Sequence, residues 1–378
     1  MPKRVPFFDL LRSVAAFAVV LGHLRNLFFC DYSSSQVAPL FKAFYFLSGF
    51  GHQAVIIFFV LSGILIGQKV LIEFKSNRWS WKTYLFDRMT RLWIVLLPAL
   101  VFTFILDKLG MSLFPDSTIY GGDRLGGNVI SSPIQTSLRV FFGNALFLQQ
   151  IIVPTAGSNG ALWSLSNEFW YYLIFPVVVQ GIRNLEVRRT LNLPLICGAL
   201  LVAWLIRIHF FEGFLIWAMG CLTLTSFSKI KKESISHVWF WISVLIFAGV
   251  LLISRFYQSQ WNDLALGVVS SLLCFSFVTY SSKASPRDQQ VWSFFSNFSF
   301  SLYLTHLPLL VFLRAAFVKG STRWNLDLRH FLFALLILFV CYFWAWLFSV
   351  FTEKKTQFLK SQLRGFSQKL KTAPFLPS

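Results

Sequence analysis

Asp9-Leu-Leu-Arg12-Ser-Val-Ala-Ala-Phe-Ala-Val-Val-Leu-Gly-His23 sets ionisable side chains inside an apolar stretch, residues 8–29. That stretch is long enough to cross the hydrocarbon core of a bilayer as a helix. Arg12 and His23 are eleven residues apart, so at about 100° per residue they point within about 20° of one another, about 16 Å apart along the axis. Both line one face at different depths. Asp9, three residues before Arg12, can share that surface. An ionisable group in hydrocarbon costs roughly 2.5–3.5 kcal/mol, so this face belongs inside a helix bundle and points to function. The start Met1-Pro2-Lys3-Arg4 is basic like that of a signal peptide. Arg12, His23, the length of the stretch and the lack of a small-residue cleavage site mark it instead as a retained first helix.

The same pattern repeats outward from this helix. Further apolar runs fall at 45–68, 92–107, 161–180, 193–210, 213–227, 238–255, 262–280, 294–313 and 330–351. The fold class is therefore an all-α integral membrane protein of about ten transmembrane helices. Composition agrees: 56% of the 378 residues are hydrophobic and only 13% are charged, about half the charge of a soluble domain. The net charge of +19 does not indicate nucleic acid, because the basic residues alternate with the spans. It suits anionic headgroups and a phosphorylated small molecule. Basic residues outside the spans favour one side by about two to one, including Lys69, Lys75, Arg78, Lys82, Arg88, Arg91 and the tail lysines, which places both termini inside. Residues 137–153 are apolar but interrupted by Gly143, Asn144, Gln149 and Gln150, and read as a half-helix or re-entrant segment. Residues 1–355 form one membrane domain. Residues 356–378, with Phe358, Leu359, Leu363 and Phe366 among lysines and arginines, read as an amphipathic tail on the inner surface. The five cysteines include no C-x-x-C pair, so no metal site or disulfide framework is expected.

Five segments carry polar groups at span ends or within spans. Arg12-x10-His23, Ile57-Phe-Phe-Val-Leu-Ser-Gly63, Arg88-Met-Thr-Arg91 with Pro98, Leu162-Trp-Ser-Leu-Ser-Asn-Glu168 through Tyr172 and Pro176, and Ser301-Leu-Tyr-Leu-Thr-His-Leu-Pro308 occur in that order. Together they resemble the signature of the acyltransferase-3 family of membrane acyltransferases. Departures are Leu92 after Arg91, the late position of Pro98, Asn167 within the fourth motif, and Lys354-Lys355 after Glu353.

The resemblance implies an acyltransferase-3-like bundle in a bacterial inner membrane. It implies acyl-CoA, usually acetyl-CoA, as donor on the cytoplasmic side, and a sugar hydroxyl of a glycan or lipid-linked saccharide at the outer face as acceptor. An O-antigen or exopolysaccharide is the expected target. Acyl transfer to a hydroxyl needs a base near neutral pH, which suits His23 as general base or as transient acyl carrier. Arg12 would orient or stabilise charge beside it. Arg88 and Arg91 suit the coenzyme's phosphates, since a guanidinium makes planar bidentate contacts; flanking a span on its basic side explains them equally simply. Glu168, near the outer start of its helix, would orient His23, bind the acceptor, or serve as a structural hydrogen-bonding group. His52 is a second catalytic candidate. Trp163, Ser164 and Tyr172 are candidate acceptor-binding residues, with Trp163 and Trp170 also fitting an interfacial belt. Ser62 and Gly63 suit close helix approach, and His306 a buried hydrogen bond beside Pro308. Two other functions fit the inventory: a secondary transporter or flippase, which also uses intramembrane ionisable residues, and an acyltransferase acting on a small molecule.

Overall fold

The computed structural model describes residues 5–32, 38–121, 134–188, 208–226, 237–280, 286–318 and 322–372, with single residues 198 and 320. Among these the regular elements are all helices, with no strand. The elements that position the site are α1 (Pro6–Phe28), α2 (Gly51–Lys75), α3 (Trp81–Leu113), α4 (Leu138–Ala145), α5 (Leu162–Arg188), α6 (Ile208–Ser226), α7 (His237–Phe256), α8 (Gln260–Tyr280), α9 (Pro286–Ser296), α10 (Ser299–Phe317), α11 (Leu328–Phe351) and α12 (Thr356–Thr372). Seven helices among the described residues are long and apolar enough to cross a membrane: α1, α2, α3, α7, α8, α10 and the helix that opens at Leu328. Large apolar side chains such as Ile105, Leu245, Leu335 and Phe339 lie exposed, as a lipid-facing surface requires.

α10 sits at the centre, packed on α1, α3 and α11. α1 and α10 run in the same direction, because their contacts follow in order. Ser296 just before α10 meets Arg12, His306 meets His23, and Arg314 meets the Leu27 carbonyl. Arg314 is almost fully buried, and its guanidinium donates to the carbonyls of Leu27, Val318, Gly320 and Thr322. That set of acceptors makes its burial tolerable. α2 and α6 approach through facing glycines. A Cβ on Gly63 would fall 1.9 Å from the Trp217 carbonyl oxygen, and one on Gly220 would fall 2.3 Å from that of Val60. Without a hydrophobic drive between lipid-bathed helices, such close backbone packing supplies much of their association.

Two helix prolines explain two long-range hydrogen bonds. Proline has no N–H, so the carbonyl four residues earlier loses its helical donor. Pro176 frees the carbonyl of Tyr172, and the Tyr84 hydroxyl donates to it at 2.9 Å. Pro308 frees that of Leu304, and Asn159 Nδ2 donates to it at 2.8 Å. The half-helix expected near 137–153 is α4, only eight residues long. The chain after it runs irregularly to residue 161, with Gln149, Ser158 and Asn159 wholly buried. Irregular backbone is tolerated at this depth because it is enclosed by protein.

Several boundaries differ from those the hydropathy pattern predicts. The run 45–68 becomes a short helix Lys42–Leu47 and then α2, which extends to Lys75. The run 92–107 is the middle of a 33-residue helix that already contains Arg88 and Arg91. The run 294–313 is divided at Asn297–Phe298 between α9 and α10. Most of the run 193–210 lies outside the described residues.

Candidate active site

The polar groups inside the bundle form a file along the α1–α10 seam. At one end His23 Nδ1 lies 2.8 Å from His306 Nε2, with the two rings parallel and their centroids 5.1 Å apart. His306 Nδ1 lies 2.9 Å from the Leu302 carbonyl oxygen. A carbonyl only accepts, so His306 Nδ1 carries a proton. With both rings neutral, His306 Nε2 offers its lone pair to His23 Nδ1–H. The Nε2 of His23 is then left as an unprotonated basic nitrogen. His306 is fully buried, whereas His23 keeps some accessible surface.

One turn before His306, the Tyr303 hydroxyl lies 2.6 Å from Ser164 Oγ and donates to the Ala161 carbonyl at 3.2 Å. α5 runs opposite to α10, so the next turn of α5 carries the file toward Arg12. There the Tyr172 hydroxyl donates to Glu168, and it also lies 3.1 Å from Ser62 Oγ, which accepts from Trp217 Nε1 at 3.1 Å. Glu168 is within electrostatic reach of both Tyr303 and Arg12. It therefore sits between His23 and Arg12 in depth. Hydropathy alone places it near the outer face; the difference arises because the irregular segment before α5 descends into the bundle and starts the helix there.

At the level of Arg12, its Nη1 donates to Ser296 Oγ at 3.4 Å, and that hydroxyl donates to Asp9 at 2.7 Å. Ser296 thus bridges the Arg12–Asp9 pair expected on one face. Glu353, just past α11, accepts from the backbone N–H and hydroxyl of Ser301 in the first turn of α10 at 3.2 and 3.1 Å. A carboxylate is favoured at a helix N-terminus. Glu353 and Arg91 both lie within electrostatic reach of Arg12. Among the described residues Arg91 makes no ion pair, and Arg88 has a buried Nε without a hydrogen-bond partner, its guanidinium standing 6.0 Å from the Tyr84 ring centroid. An Arg88 Nε with no hydrogen-bond partner, beside an Arg91 balanced only through space by Glu353, suits an anionic ligand at the α1-N-terminal end of the file.

The structure thus brings together His23, Arg12, Glu168, Ser164, Tyr172 and, at the α1-N-terminal end, Arg88 and Arg91. It does not bring His52 to them: His52 is exposed, and its Nε2 lies 2.8 Å from Asp263 on α8. Trp163 packs edge-on against Phe59, and Trp170 Nε1 donates to the Phe147 carbonyl at 3.0 Å. His306 is the buried hydrogen-bonding group that the sequence suggests, and it is also the partner of His23. Two further residues of the site, Tyr303 and Glu353, lie in segments compared with the family signature but do not stand out there as site candidates. Their companions lie on helices distant in the chain, so only the motif around Tyr303 and the end of the last apolar run before Glu353 could mark them. Among the described residues no group of three or more His, Cys, Asp or Glu side chains is placed to hold a metal ion.

A helical bundle with lipid-facing sides and a buried file of arginine, carboxylate, hydroxyl and imidazole defines an integral membrane protein built around intramembrane polar chemistry. The profile of the acyltransferase domain matches residues 5–351, and the chain belongs to the acyltransferase 3 family. It is 26% identical over 308 residues to an O-acetyl transferase of Shigella phage Sf6, covering 80% of this chain and 84% of that protein. It is 29% identical over 201 residues to the acyltransferase MdmB of Streptomyces mycarofaciens, covering 50% of this chain and 43% of that protein. It is 22% identical over 346 residues to the O-acetyltransferase OatA of Staphylococcus aureus, covering 85% of this chain and 53% of that protein. The chain thus spans most of the phage protein and about half the length of the other two. No solved structure matches it.

Proposed function

We propose that this protein is an inner-membrane O-acetyltransferase with about ten spans and both termini in the cytoplasm, residues 1–355 forming the enzyme and 356–378 its tail. It would take an acetyl group from acetyl-CoA at the cytoplasmic mouth and pass it to a sugar hydroxyl of a surface polysaccharide or glycolipid, such as O-antigen, presented from the outer face. The observation that carries this reading is the His23–His306 pair at one end of a polar file whose other end holds Arg88, with an Nε that has no hydrogen-bond partner, and Arg91, in no ion pair among the described residues. His23 Nε2 would accept the proton of the acceptor hydroxyl as its oxygen attacks the thioester carbonyl. The C–S bond breaks, and the coenzyme thiolate leaves and takes that proton back from the imidazolium. A two-step route has His23 Nε2 attack the thioester first, breaking the C–S bond and releasing the coenzyme thiolate, and hold the acetyl group until the hydroxyl oxygen takes it and gives its proton to the thiolate or to the freed imidazole. Arg12 and Glu168 would guide charge along the file, Ser164, Tyr172 and Trp163 would border the acceptor, and Arg88 and Arg91 would hold donor phosphate. His52, exposed beside Asp263, stays an independent second candidate.

The test is His23→Ala in the native host, with surface glycan acetylation read by mass spectrometry and protein level by immunoblot. Loss of acetylation at normal level supports the assignment, and unchanged acetylation refutes it. Gradient-driven solute movement with no acetyl transfer by purified protein would favour transport instead, and acetylation of a small-molecule panel but no glycan would move the acceptor class.

A further inference from the structure

Next to Arg88 and Arg91 lies a convergence of charge that the file does not use. Asp87, on the turn of α3 that carries Arg88, receives cations from two other segments. Lys360 Nζ and Arg364 Nη2, both on α12, lie 3.1 Å from its Oδ1, and Lys69 Nζ on α2 lies 3.4 Å from its Oδ2. The Arg364 guanidinium also stands 5.5 Å from the centroid of the Phe86 ring. Lys360 is within electrostatic reach of both Arg88 and Arg91. Among the described residues, the cations Lys69, Lys360, Arg364, Arg88 and Arg91 lie with three carboxylates, Asp87, Glu73 and, through Arg91, Glu353, and Glu353 is already engaged by Ser301. Like charges held this close repel unless negative charge joins them.

The orientation of α12 says where that charge comes from. Its apolar side chains Phe358, Leu359 and Leu363 are exposed, as a helix resting in the bilayer surface requires. Lys360 and Arg364, one turn apart, face the other way onto α3, and the Lys360 side chain is only 14% exposed. A lysine recruited for lipid headgroups would point outward from the bundle; this one points at Asp87, beside Arg88 and Arg91.

We propose that Lys360 and Arg364 of α12, with Lys69, form the outer wall of the site for the donor's phosphates that Arg88 and Arg91 begin, and that Asp87 is the positioning residue that aims them. The ligand class is the phosphomonoester and diphosphate of a nucleotide-bearing thioester, so this inference rests on acetyl-CoA being the donor. α12 is then a structural part of the donor site as well as a membrane anchor.

The experiment uses the full chain in lipid nanodiscs, with and without phosphatidylglycerol, and measures calorimetric binding of coenzyme A together with KM and kcat for acetyl-CoA. Each of the two side chains would give a charge-assisted hydrogen bond to phosphate. Lys360→Ala/Arg364→Ala is therefore expected to weaken coenzyme A binding and raise KM by about tenfold or more, with kcat largely kept. The swap Lys360→Arg/Arg364→Lys should restore most of the affinity. Asp87→Asn should raise KM in the same direction, because the cations lose their aim. Equal coenzyme A binding by wild type and the double alanine variant overturns this inference alone. A defect seen only with phosphatidylglycerol present overturns it in favour of a headgroup clamp. Failure of the wild type to bind coenzyme A overturns the donor assignment and this wall with it.

Discussion

Replacing His306 tests the proposed chemistry most directly, because the two substitutions that matter separate aim from bulk. His306→Ala removes the acceptor of the His23 Nδ1–H, a bond of 2.8 Å whose acceptor ring is fully buried. A neutral hydrogen bond of this kind is worth about 1 kcal/mol net, and a buried donor left without a partner costs about 1–3 kcal/mol. If that energy holds His23 in the tautomer with Nε2 free, its loss lowers kcat by about fivefold to a hundredfold at 1.4 kcal/mol per factor of ten. His306→Gln keeps an acceptor oxygen of similar reach and should recover much of the rate. The assay is release of coenzyme thiol by purified protein with acetyl-CoA and an acceptor glycan across pH 5–9, with detergent melting curves for both variants. The pH profile of the alanine variant should differ in shape from that of wild type, because a base free to exchange tautomers is no longer held by one partner. Wild-type kcat and an unchanged profile in a folded His306→Ala protein would refute this role for the pair.

Gly63→Ala should reduce the detergent melting temperature sharply, since its methyl would meet the Trp217 carbonyl oxygen at 1.9 Å, while Gly249→Ala, whose methyl meets nothing within 4 Å, should not. Asn159→Leu should destabilise by about 1–3 kcal/mol, because the Leu304 carbonyl released by Pro308 loses its donor; a melting curve like that of wild type would contradict the role given to Asn159. Hydrogen bonds from Arg323 hold the Asp31 carboxyl below the usual carboxylate range. The small stability this pair adds is therefore present in full above about pH 4 and is lost as pH falls through the lowered value of the folded state. Wild type and Asp31→Asn should differ in melting temperature at pH 6 and converge in strong acid. Glu353→Gln should slow transfer more than it destabilises, since its neutral amide can still accept from Ser301 but no longer balances Arg12 and Arg91; kinetics and melting measured on one preparation will tell the two effects apart.

The apolar runs make most helices legible, and α1 falls close to where its hydrophobicity places it. Apolar counting fails where polar residues continue a helix. Trp81 to Arg91 precedes the apolar run 92–107 and reads as no more than its basic flank, yet it forms the first three turns of α3, because Ser80 caps it and nothing in the stretch breaks a helix. The alignment of Arg12 with His23 follows from helical geometry alone. The pairing of His23 with His306 does not, since 283 residues separate them and only packing joins them. The depth of Glu168 is hidden for a related reason. A buried irregular segment precedes α5, and hydropathy cannot tell a loop that dips into the bundle from one that stays outside. The convergence on Asp87 joins three segments whose basic character is legible one by one, but whose meeting at one carboxylate only packing shows.

Mounting Arg12 and His23 on one unbroken helix turns α1 into a ruler. Helical rise fixes the step between the guanidinium level and the imidazole level at about 16 Å, and neither side chain can slide to shorten it. On the proposed assignment, a donor held at Arg88 and Arg91 would be selected by span as well as by charge: its thioester would have to hang far enough from its anionic head to pass the guanidinium level of Arg12 and reach the imidazole level of His23. Short acyl thiols that carry the same reactive bond would fill one level and leave the other vacant.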